Sequence, residues 1–118
     1  MYESLIYSDK KIEKEFIEKR KLLWQILRDK DYKVNLQKFL NPKYDYDLDM
    51  FLYSEIGYPM LSILTSQIYY SPYAATSLRE YFANGFEAFF MKEEVARLRK
   101  ISPELFIKVS NLLNLKKD

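Results

Sequence analysis

The chain has no histidine and no cysteine among its 118 residues. Without thiols there are no disulfides and no thiolate metal sites, but the compartment stays open, because many secreted proteins also lack cysteine. Without imidazoles, the residues present cannot supply the two histidines of a His₂Glu zinc site. Glycine and proline are scarce, at two and four residues. That excludes an all-β fold, which needs such residues for its many tight turns. No run approaches the ~18 apolar residues of a membrane helix. The N-terminal MYESLIYSDKK has neither the basic start nor the apolar stretch of an export signal. An excess of one charge is also missing: 19 basic residues face 17 acidic ones, a net of +2. Arg97, Arg99, Lys100 and Lys108 form no basic stripe, so neither a nucleic acid nor a membrane is expected as a partner.

Hydrophobic residues make up 48% of the chain and aromatics 17%, enough for one packed domain that buries about two-thirds of its unfolded surface. The periodicity predicts an all-α fold, an irregular helical bundle of four to six helices. The first helix is expected from Asp9 to Lys30, with Ile12, Phe16, Leu23 and Leu27 along one stripe. Its charged residues, Glu13, Lys14, Glu15, Glu18, Lys19, Arg20 and Lys21, read as a solvated face. A short helix is expected within Val34–Leu40. Another starts near Asp47, capped by Asp47 or Asp49, and is interrupted at Gly57-Tyr58-Pro59. Met60, Leu61, Ile63, Leu64 and Ile68 then mark a segment expected at the centre of the core. A helix from Leu78 to Met91 puts Glu80, Asn84 and Glu87 on one face and Phe82, Phe86, Phe89 and Phe90 on the other. A short helix over Glu93–Lys100 follows. Ser102-Pro103 opens the last one, with serine as its cap.

Ser71 to Phe90, SPYAATSLREYFANGFEAFF, carries the most specific pattern. Ser77-x-x-Glu80 has the spacing of a capping box, in which Glu80 would reach back to the Ser77 amide. Tyr73 and Glu80 are separated by six residues, and Tyr81, Phe82, Ala83 and Phe86 follow in step. This arrangement resembles the late helix of the zinc metallopeptidase domain of the anthrax lethal factor family, a gluzincin group. The following MKEEVARLRKISPELFIKVSNLLN is similar to that family's closing pair of helices, so the likeness covers about residues 71–114. Asn84 departs from it, standing where the family has a second glutamate.

The resemblance implies the C-terminal lobe of a zincin-type domain that hydrolyses peptide bonds in a protein or peptide substrate. Glu80 would be its third zinc ligand and Tyr73 the donor to the oxyanion formed when metal-bound water attacks a carbonyl. Zinc is expected in the complete domain and not in this chain, because the family's His-Glu-x-x-His helix has no counterpart with histidines here. Two versions follow. The chain could be the C-terminal part of such a domain, inactive alone and partnered by a missing N-terminal peptidase segment. It could instead be a degenerate homologue that kept the helical lobe for binding. A small all-helical interaction module, of the kind found in phage, mobile-element or toxin systems, is the alternative from another class. The missing segment would leave apolar surface near Tyr73, Glu80 and Asn84, and a homodimer covering it is expected. The tyrosines between Tyr44 and Tyr81 suit a peptide-groove wall or a domain rim equally well.

Overall fold

The computed structural model describes residues 10–91 and 94–117, with side chains to residue 113. Among them the fold is all-α, an irregular helical bundle without strands. Helix α1 is Lys10–Asp29, α2 Leu36–Phe39 and α3 Tyr46–Met50, the last continuing into a π-helical turn over Phe51–Ile56. Helix α4 is Tyr58–Leu64. A 3-10 turn over Pro72–Ala75 leads into α5, Leu78–Phe89, followed by α6, Val95–Ile101, and α7, Pro103–Lys117. Five of these α segments run seven residues or longer. Asp9, the expected first residue of α1, and Glu93, that of α6, lie outside the described residues.

Helix α1 is the spine. Its expected stripe of Ile12, Phe16, Leu23 and Leu27 is fully buried, and it packs against α2, α5 and α7. The expectation of a solvated charged face fails at three positions. Lys19 and Arg20 are buried and Glu15 is half-buried. In a bundle of short helices α1 is surrounded on more than one side, so residues that flank its apolar stripe also face protein. There they satisfy backbone groups that the short helices leave unpaired at their ends.

Arg20 donates from Nε to the Ala75 carbonyl at 2.6 Å, from Nη2 to Thr76 at 3.0 Å and from Nη1 to Phe39 at 3.1 Å. Its guanidinium lies 4.8 Å over the Phe16 ring. Burial pushes Arg20 below its ordinary pKa, opposed by Tyr69 and Asp45. The protonated guanidinium offers five N–H donors to these carbonyls, and arginine keeps its proton under nearly all conditions. Lys19 Nζ donates to the carbonyls of Ile68 at 2.6 Å and Ile101 at 2.8 Å, and burial likewise lowers its pKa. Glu15 accepts from the Glu104 N–H at 2.8 Å, the Leu105 N–H at 3.3 Å and the Tyr81 hydroxyl. Glu15 therefore supplies the N-terminal cap of α7 expected from Ser102, and a carboxylate there also meets the positive end of the helix dipole.

Two further expectations are corrected. Helix α3 is capped by Asp45, whose carboxylate accepts from the Leu48 N–H at 3.1 Å, in place of Asp47 or Asp49. In α4 only Leu61 is fully buried, while Met60 and Ile63 are exposed at 47% and 70%. Seven residues make about two turns, and one side of so short a helix packs on the turns next to it while the other faces solvent. Close packing also fixes how α5 meets α7: a Cβ built on Gly85 would stand 2.4 Å from Leu105 Cδ2.

Candidate functional site

Tyr73 lies on the 3-10 turn and Glu80 in the first turn of α5, as expected for Glu80. The intervening residues explain why this short stretch is held firmly. Thr76 Oγ1 donates to the Tyr73 carbonyl at 2.8 Å, and the Glu80 N–H donates to Ser77 Oγ at 3.1 Å, so the serine half of the capping box is formed. The Leu78 N–H reaches the Pro42 carbonyl at 2.8 Å. The Ala75 and Thr76 carbonyls are those gripped by Arg20. The buried cation of α1 thus fixes the backbone between the two candidate residues, whose side chains are both exposed.

Asn84, the departure from the family pattern, has a structural role. Its Nδ2 donates to the Glu80 carbonyl at 2.8 Å, and its Oδ1 accepts from the Ser71 hydroxyl. It ties the start of the 3-10 turn to α5, and both ends of its amide are used.

The rest of the surface around Tyr73 is aromatic. The Tyr58 ring meets Tyr73 with centroids 4.6 Å apart at 67°, and meets Tyr53 at 5.5 Å and 74°, both edge-to-face arrangements. Tyr58 and Tyr44 donate to the two oxygens of the Asp49 carboxylate, at 2.9 and 2.7 Å. The Tyr58 hydroxyl titrates above its ordinary value because of burial and then of Asp49. That of Tyr44 is raised chiefly by its bond to Asp49. Both remain protonated donors at neutral pH. Tyr53, Tyr73 and Tyr44 are more than half exposed.

The backbone that presents these rings is unusual. Over Phe51–Ile56 the ladder widens to π spacing, closing with the Gly57 N–H on the Leu52 carbonyl at 3.0 Å. This buries Leu52 and Ile56 and leaves Tyr53, Ser54 and Glu55 outside. Gly57 then takes φ +83°, a conformation that side chains disfavour, before α4 opens with Tyr58 and with Pro59 in its first turn. Short π segments of this kind are frequent at functional sites.

The residues do not fit a zinc ion. A His₂Glu site needs three donors converging on one point. No group of three or more His, Cys, Asp or Glu side chains among the described residues could hold a metal. Glu80 is exposed, the Asn84 amide is engaged, and the Tyr58 hydroxyl is turned to Asp49. Sequence reasoning singled out Tyr73 and Glu80 but missed Asp49 and the pairing of Tyr58 with Tyr73. The aromatic-acidic run YDYDLDMFLYSEIGY was the available signal, but nothing local says which tyrosines meet. No helix among the described residues is long and apolar enough to cross a membrane. Comparison with protein-family models, with characterised proteins and with solved structures finds no match to this chain.

Proposed function

We propose that this chain is a non-catalytic, metal-free relative of the gluzincin peptidases, and that its Tyr73–Glu80 surface serves as a peptide-binding face. The observation that carries the reading is the contact of Tyr58 with Tyr73. Ser54-Glu55-Ile56-Gly57-Tyr58 keeps the glutamate of a His-Glu-x-x-His frame and replaces both histidines, one by serine and one by tyrosine. The tyrosine at the second histidine position is the residue that packs beside Tyr73. A His-Glu-x-x-His segment supplied from outside these residues would need the place that Tyr58 occupies.

The replacements are coherent as chemistry. In a working site the two histidines sit four apart on one continuous helix, so that both nitrogens face the metal. Here the break at Gly57 separates positions 54 and 58 onto different elements. The ring at position 58 gives a hydroxyl to Asp49 and leaves its edge and face to other tyrosines. Neither a metal-activated water nor a general base aligned with one follows from this arrangement. Exposed, well-supported tyrosines beside a carboxylate suit the recognition of a peptide.

Restoring the histidines tests the reading. Ser54→His with Tyr58→His, combined with Gly57→Ala to favour one continuous helix across these positions, is expected to gain stoichiometric zinc, measured by metal analysis after dialysis against a weak chelator, and adding Glu80→Gln is expected to remove it. The unsubstituted chain should hold no stoichiometric zinc and hydrolyse no peptide. Zinc binding by the triple variant that ignores Glu80, or peptidase activity of the unsubstituted chain, would overturn the proposal.

A further inference from the structure

From Tyr44 to Leu78 the chain carries four carboxylates, Asp45, Asp47, Asp49 and Glu55, and no lysine or arginine, although 19 basic residues lie outside that stretch. Two of the four carboxylates are occupied locally: Asp45 caps α3, and Asp47 has Lys38 at 3.7 Å. Asp49 is held between Tyr44 and Tyr58, and Glu55 is exposed two residues after Tyr53 on the π-helical turn. Phenols that donate to a carboxylate push electron density into their rings, which strengthens the negative ring faces that attract cations.

We propose that this face, built from Tyr44, Asp49, Tyr53, Glu55, Tyr58 and Tyr73, docks an arginine- or lysine-bearing segment of a partner protein. The assignment rests on the preceding reading of the face as a peptide-binding surface and names its partner. Two features select a cation over a neutral apolar peptide. The tyrosine rings offer both edges and exposed faces within about one side-chain length of one another, the geometry in which a guanidinium or ammonium group stacks. The Asp49 carboxylate also stands between two of the phenols, and its charge favours a cation in contact with the rings. An anionic partner would meet the Asp49 and Glu55 carboxylates instead.

The experiment uses the full chain and a short fluorescent peptide that alternates arginine with serine, set against the same peptide with citrulline in place of arginine. Citrulline keeps the shape and removes the charge. Fluorescence anisotropy is expected to show tighter binding of the arginine peptide, weakening as salt is raised. Tyr53→Leu and Tyr73→Leu, at exposed positions where the fold is not at risk, should each weaken it about two- to fivefold, what an exposed cation–π contact contributes. Glu55→Gln should weaken it and flatten its salt dependence, whereas Glu18→Gln on α1 should leave it unchanged. Equal binding of the citrulline peptide would overturn the cation assignment and leave the face as a peptide surface. No binding of either peptide would overturn both readings. Sedimentation showing self-association that is lost with Tyr73→Leu would make a second copy of the chain the occupant and overturn the proposal. The zinc-restoration experiment reads the ancestry of the site separately, so its failure is distinguishable from these.

Discussion

Two regions of this molecule are rich in polar groups, and they differ in what those groups do. At the middle of α1, Glu15, Lys19 and Arg20 are turned inward and spent on backbone: carbonyls of the segments around them and the free N–H groups of α7. On the tyrosine face, Tyr53, Glu55, Tyr73 and Glu80 are exposed and their side chains hold no backbone group among the described residues, while Tyr44 and Tyr58 hold Asp49. The first region makes the second possible, because Arg20 fixes the Ala75–Thr76 backbone between Tyr73 and Glu80. A buried charge in this role is costly to remove singly, since it leaves several acceptors without partners. An exposed one is free to serve a partner.

The sharpest way to break this contrast is to remove the inner cation. Arg20→Met keeps apolar bulk and strips the donors from Ala75, Thr76 and Phe39. It is expected to cost about 3–5 kcal/mol, because each buried carbonyl left without a donor costs about 1–3 kcal/mol. Urea unfolding followed by circular dichroism measures it, and a loss under ~1 kcal/mol, typical of surface sites, would erase the distinction between the regions.

Alkaline pH attacks the interior next. Burial raises the pKa of Tyr69 and Tyr81, and the Glu15 carboxylate raises Tyr81 further. Above about pH 10, where unfolded tyrosines release their protons, the folded chain therefore binds more protons than the unfolded one. Stability then falls as pH rises through that region. Lys19 acts in the opposite direction. Its lowered pKa means the unfolded chain binds the extra proton just below the ordinary lysine value, so its contribution grows with pH there. Two buried tyrosines outweigh one lysine, and the net expectation is a decline above pH 10 that becomes shallower in Tyr81→Phe. Thermal melts across pH 8 to 11 would contradict this if the wild type and Tyr81→Phe had the same slope.

A smaller effect tests packing without charge. Gly85→Ala puts a methyl group into Leu105, and overpacking of this kind costs about 1–3 kcal/mol. The better helix propensity of alanine returns up to about 1 kcal/mol of that. The diagnostic is a double-mutant cycle: with Leu105→Ala also present, the added cost of Gly85→Ala should vanish. Simple additivity of the two changes would mean that α5 and α7 do not meet at this point.

The smallest effects belong to the start of α5, next to the tyrosine face. Ser77→Ala is expected to cost about 1 kcal/mol through the lost cap. Glu80→Gln should change stability by less than about 0.5 kcal/mol, the usual range for exposed positions. A Glu80 effect as large as that of Ser77 would reveal a structural duty for its carboxylate and weaken its candidacy as a binding or ancestral ligand residue.

Much of this organisation was legible before any coordinates. Ile12, Phe16, Leu23 and Leu27 recur at helical spacing, and spacing alone puts them on one buried stripe. Ser77 three residues before Glu80 places a helix start there, and Gly57-Tyr58-Pro59 marks a break, because caps and backbone exceptions are local chemistry. The inward turn of Lys19 and Arg20 was not legible. Their sequence context is that of a charged surface, and most of the carbonyls they hold, those of Ile68, Ala75, Thr76 and Ile101, lie about 50 to 80 residues away.

The same division holds for the function. By itself the sequence determined that the fold is helical, that no imidazole or thiol can bind a metal here, and that Glu80 opens a helix seven residues after Tyr73. Each of those follows from composition or from spacing along a single element. Only the tertiary structure decided that Tyr58 stands against Tyr73, that Asp49 gathers two tyrosines, and that the charges of α1 hold the site from beneath. Contacts between elements depend on how short helices are wedged around α1, and that packing is settled by the whole set of side chains at once, with no local signal to announce it.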